Sequence, residues 1–194
     1  MIISKKRPQN QLSSNQVCSI ASEIELPKGL QGNLVTLKEM SKMAHYRKGH
    51  PLIRQFAINI INSYDTESHN HIAEAKAIGD FVKKNFRYVK DASGIEQIHD
   101  PLTMLDQLQR GVARADCDDM ALFIASLLLS IGIKPKFRCI RYKSMEGNYN
   151  HIYVVVYDND SPYSKAQRIV LDAIVKDKPI GYELSQVSGD EFNV

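Results

Sequence analysis

With 194 residues, the chain is long enough to bury one core without cross-links, and nothing in its length requires a second domain. Lys and Arg number 25 against 22 Asp and Glu, a net of +3, and the basic residues are scattered, which excludes the concentrated basic face of a nucleic-acid binder. Cys18, Cys117 and Cys139 lie at long, unequal spacings that fit neither a disulfide framework nor a zinc site; the opening "MIISKKRPQNQLSS" lacks the apolar core of a signal peptide, and no later run reaches membrane-spanning length. The expectation is a cytosolic protein, or a component of an assembly made there, with no nucleic-acid or membrane partner.

The stretch 1–33 is polar, rich in Ser, Gln and Asn, and without a sustained period. It predicts a flexible N-terminal arm available for docking onto other proteins. The compact domain is expected over 34–176. "TLKEMSKMAHY" puts Leu37, Met40, Met43 and Ala44 on one helical face. "PLIRQFAINIINSY" does the same with Leu52, Ile53, Phe56, Ala57, Ile60 and Ile61, and Pro51 suits its first turn. "IAEAKAIGDFVKKNFRYV" repeats Ile72, Ala75, Ile78, Val82 and Phe86 at helical spacing, then runs into an extended "FRYV". In "DPLTMLDQLQRG", Asp100 can cap, Pro101 fits the first position, and Gly111 can end the helix.

From Met120 to Ile131 nearly every residue is apolar, so this helix should lie inside the domain. Gly132 and Pro135 stop it. The period then changes to alternation in "KFRCIRY", "HIYVVVYD" and "RIVLDAIV", separated by turn-rich segments, which reads as an antiparallel meander. The stretch 177–194 reads as a polar, loop-like tail. The fold class is α+β, a helical N-terminal half with a buried helix packed on a small antiparallel sheet.

Cys117 falls in the first turn of that buried helix, where free N–H groups and the macrodipole favour a thiolate and could hold an oxyanion. Asp116, Asp118 and Asp119 oppose this charge unless they turn away. A base is needed. His45, His50, His69, His71 and His99 lie in helical or loop stretches, whereas His151 opens a strand. Asp172 sits in an apolar strand, where an unpaired carboxylate would be costly. A hairpin centred on Ser161 and Pro162 would set His151 opposite Asp172, with Cβ atoms roughly 4.5–5.5 Å apart, near enough for a carboxylate to orient an imidazole. Cys117, His151 and Asp172 thus have the types and order of nucleophile, base and orienter.

"ADCDDMALFIASLLLSIGIKPKFR", "NHIYVVVYD" and "IVLDAI", preceded by "EAKAIGDFVKKNFRYVKD" and "DPLTMLDQLQRG", resemble the transglutaminase-like core of papain-type cysteine peptidases, in particular the short type encoded by tailed phages. The resemblance spans about Leu52 to Val175. It implies Cys117 as nucleophile, His151 as general base and acid, and Asp172 as orienter. Ala115 stands where the family usually has glycine. There is no tryptophan, so the indole donor of animal transglutaminases is absent and hydrolysis is favoured over cross-linking. Gln109, Arg114 and Tyr88 are the candidates for a second oxyanion donor, and the sequence does not choose among them.

Other features have plainer readings. Cys139 is read as a buried small hydrophobe, and Asp118 and Asp119 as first-turn acids suited to the helix dipole. His69 and His71 read as part of a solvated loop, and the lysines of "VKKNFRYVK" as an exposed face. No cofactor is expected, because thiol chemistry needs none. The acidic cluster could hold a stabilising ion, but its spacing does not demand one. The functional expectation is a thiol hydrolase of peptidase or amidase type acting on an amide or isopeptide bond of a protein or peptide. The alternative is a phage virion or assembly protein that keeps the fold as a binding module with a weak or vestigial site and docks to other phage structural proteins through its arm.

Overall fold

A computed structural model describes residues 29–67, 69–91, 97–142, 149–158, 167–184 and 187–194. Residues 1–28 of the expected arm, Cys18 among them, lie outside these. Helix α1, Leu30–Arg47, begins inside the segment read as an arm. Gly32 and Asn33, weak helix formers, hid its first turn, and Gly29 at φ 78° leads the chain into it.

The next helices start as their caps foretell. In α2, Pro51–Ser63, proline holds the first position and the His50 side chain accepts from the Leu52 N–H. Helix α3, His71–Asn85, is capped by Asn70, so His71 opens a helix rather than sitting in a loop. Strand β1, Arg87–Tyr88, follows, and then α4, Pro101–Gln109, capped by Asp100. Gly111, at φ 73°, closes α4. Strand β2, Arg114–Ala115, pairs parallel with β1, Tyr88 facing Ala115.

Helix α5, Cys117–Ser130, is buried on nearly all sides and touches α1, α2, α3 and α4 as well as the sheet. Leu122, Phe123, Leu127 and Leu128 are fully enclosed, as a helix without a polar face demands. Phe123 packs against the rings of Phe56 and Phe86.

The sheet contains β3, Pro135–Tyr142, β4, His151–Asp158, β5, Gln167–Leu171, and β6, Val187–Asn193, in the order β5-β4-β3-β6. All its pairs are antiparallel. Ile152, Val154 and Val156 face the helices, while Tyr153 and Val155 join Ile140 and Val170 in a second cluster on the far face. Cys139 is buried, as expected of a strand hydrophobe.

Three expectations are corrected. The tail contains β6, so the sheet extends past the boundary drawn at Lys176. "VSGDEFN" lacks apolar alternation because this edge strand is held by backbone pairing to β3, with Phe192 and Val194 turned onto the core. The β4–β5 ladder sets Val154 opposite Leu171 rather than Ile169, a slip of two from the expected register. A slip of two preserves which face each side chain occupies, so His151 and Asp172 still share one. Finally, Asp172 lies just beyond β5 and not in mid-strand. Its Oδ1 accepts the Ile174 N–H at 3.1 Å, a local turn that ends the strand.

Candidate active site

Asp116 leaves the short β1–β2 pair with φ −98° and ψ −161°, and its carboxylate caps the Asp119 N–H. This fixes Cys117 as the first residue of α5, half-buried, at the positive end of a central helix. The backbone N–H groups of Ile152 and of Cys117 itself act on the sulfur in the direction that favours a thiolate. Burial outweighs them, and the charges of Asp118 and Asp116 add to it, so the thiol is pushed up to about 12. The resting group is a neutral thiol.

Ile152 is the residue after His151, so the first turn of α5 abuts the start of β4. His151 is 5% exposed and Asp172 6% exposed, a depth at which an imidazole and a carboxylate need partners. They supply each other: Nε2 of His151 lies 2.8 Å from Oδ2 of Asp172. The imidazole also leans on the Tyr153 ring, with centroids 5.4 Å apart. Its second nitrogen, Nδ1, is buried and has no hydrogen-bond partner among the described residues. A carboxylate on one nitrogen fixes the tautomer and leaves the other as the proton acceptor. A small crevice is walled by Cys117, Ile152, Tyr153, Asp172 and Ile174. Of the three residues expected from the sequence, His151 and Asp172 are brought together directly, and Cys117 shares the crevice with Asp172 and with Ile152, the residue after His151.

Sequence reasoning missed the surroundings of Asp119. Its Oδ1 accepts the His99 N–H at 2.7 Å, and Oδ2 lies 2.6 Å from His99 Nδ1. That hydrogen bond raises the His99 pKa against the effect of burial. The signal lay in "HDP", where a histidine directly precedes a helix cap. Asp116, Asp118 and Asp119 offer carboxylate oxygens within 4.8 Å of one another, and all three residues are buried. Hard oxygen donors so disposed fit a calcium-like cation. Of the histidines read as a loop pair, His69 has φ 65° and His71 starts α3; among the described residues neither joins a metal-ligand group. No described helix is long and apolar enough to cross a membrane.

No family model and no curated protein matches this sequence. Solved structures do resemble it. A protease from Parabacteroides distasonis, described as putative, superposes with a TM-score of 0.52 at 14% identity over 90% of this chain and 35% of its own length. Calcium-bound LapG from Legionella pneumophila gives 0.48 at 16% identity over 81% of this chain and 83% of its own. A putative cysteine protease from Cytophaga hutchinsonii gives 0.45 at 13% identity over 73% of this chain and 47% of its own. The chain thus spans about half of the Cytophaga protein and about a third of the Parabacteroides one. None of the three is described as viral, so the phage component of the resemblance has no support from them. The chain has an α+β fold, helices packed on a small antiparallel sheet, and it shares that fold with the Parabacteroides protein, which is described as a putative protease.

Proposed function

We propose that the protein is a thiol hydrolase acting on an amide or isopeptide bond of a protein or peptide, with Cys117 as nucleophile, His151 as base and acid, and Asp172 as orienter. The observation that carries this reading is the buried His151–Asp172 hydrogen bond, which leaves Nδ1 unpartnered among the described residues, next in sequence to Ile152, which walls the crevice with Cys117. Because burial holds the thiol neutral, His151 accepts its proton as attack begins. The sulfur adds to the carbonyl carbon and the carbonyl electrons pass to oxygen. His151 then returns the proton to the leaving amine, and water, activated by the same imidazole, releases the acyl group.

The donor set of Asp116, Asp118 and Asp119 fits a calcium ion, which when bound would offset the negative field beside Cys117. Calcium binding by these carboxylates is expected to raise the melting temperature, and Asp118→Asn to remove the rise. At a concentration of 100 times Kd the gain is about 2.7 kcal/mol.

Trapping of an acyl-enzyme tests the reading. With p-nitrophenyl acetate, intact-mass spectrometry is expected to show one acetyl group, mapped to the Cys117 peptide and absent in Cys117→Ala. His151→Ala should slow its formation by roughly 10²-fold or more. Acetylation spread over lysines and unchanged in Cys117→Ala would refute it.

A further inference from the structure

Building on the thiol-hydrolase reading, we infer that the Tyr88 hydroxyl is the side-chain donor of the oxyanion hole, acting beside the Cys117 backbone N–H. Strand β1 is locked to β2 by Arg87 N–H to Ala113 O and Val89 N–H to Ala115 O, both 3.0 Å, which sets Tyr88 directly across from Ala115. In-register neighbours on paired strands project to one face. Because Asp116 is extended, Cys117 alternates back to the side of Ala115. Tyr88, Ala115 and Cys117 therefore share a face.

Tyr88 is 40% exposed, so it is not held there as core. Its hydroxyl has no hydrogen-bond partner among the described residues, leaving its proton available for an incoming oxygen. Partial burial, with the negative charges of Asp116 and Asp118, holds the phenol above its usual range. It stays a protonated donor at neutral pH and lies within the field of the nucleophile. The two rivals fit less well. Arg114 sits one position out of phase with Cys117, across from Arg87, and is exposed; Gln109 is the exposed last residue of α4.

The chemistry balances without a co-reactant. As the Cys117 sulfur bonds to the carbonyl carbon, the carbonyl π electrons move onto oxygen, and that oxyanion accepts hydrogen bonds from the Cys117 N–H and the Tyr88 O–H. Collapse of the tetrahedral species restores the carbonyl and expels the amine, which takes its proton from His151.

Two reactions of Cys117 separate this role from that of His151 and Asp172. Alkylation by iodoacetamide builds no oxyanion, whereas an acetylated dipeptide aldehyde adds to the thiol and forms a tetrahedral hemithioacetal. Tyr88→Phe is expected to bind the aldehyde about 10²-fold more weakly while alkylating at the wild-type rate and melting at the wild-type temperature. Equal aldehyde affinity in wild type and Tyr88→Phe overturns the assignment of Tyr88 and leaves the hydrolase reading standing. If wild type forms no hemithioacetal and Cys117 alkylates indifferently to His151→Ala, both fall together.

Discussion

At the residue scale, the chemistry of Cys117 is a contest between helix position and charge. The N–H groups at the start of α5 favour a thiolate, but burial and the flanking aspartates win and push the thiol up to about 12. In the mechanism proposed above, that leaves the proton of Cys117 to be taken by His151 at the moment of reaction. The three residues were legible because each broke the pattern around it: a thiol among acids, a histidine opening an apolar strand, and a carboxylate at the end of another. His99 was not legible as a partner, since its contact with Asp119 spans a distance in sequence that no period reports. Its pKa is raised in the fold, so the stabilisation is fully present below the unfolded value of about 6.5 and is lost as pH rises through the higher folded value. Melting temperatures across that window should fall with rising pH in wild type, and that dependence should be reduced in His99→Asn.

At the element scale, Asp100 links capping to tertiary structure. Its Oδ1 holds the Leu102 N–H at 2.8 Å, while both oxygens receive the Arg47 guanidinium at 2.6–2.9 Å, fastening the end of α1 to the start of α4. Both side chains are buried, so removing either leaves an uncompensated charge. Asp100→Ala is expected to cost about 3–5 kcal/mol in chemical denaturation. The cap was readable from "DP", but the arginine was not, because long-range pairing leaves no local trace. Strand β6 escaped for the opposite reason. Its polar residues conceal a backbone ladder, and Gly189 approaches β3 so closely that a Cβ there would meet Cys139 O at 2.1 Å. Gly189→Ala should unpair this edge, visible as faster amide exchange along β6 while β4 stays protected.

At the scale of the whole molecule, helical periods in the first half and alternation in the second were enough for the α+β class. One all-apolar helix identified the centre. What sequence pattern could not give was closure: β3 receives β6 on one side and β4 on the other, and the chain end returns to α1 through His45 Nε2 and Val194 O at 2.9 Å. Deleting residues 187–194 is expected to lower the melting temperature and expose β3 as an edge, increasing light scattering on warming relative to the full chain.

The central claim is that Cys117, His151 and Asp172 act as one unit, and the pH dependence of Cys117 alkylation by iodoacetamide tests it most directly. In His151→Ala and in Asp172→Asn, the rate at neutral pH should fall roughly tenfold or more below wild type, while Cys139 stays equally slow in all three proteins. A Cys117 rate that follows an isolated, buried thiol and is unaffected by both substitutions would contradict it.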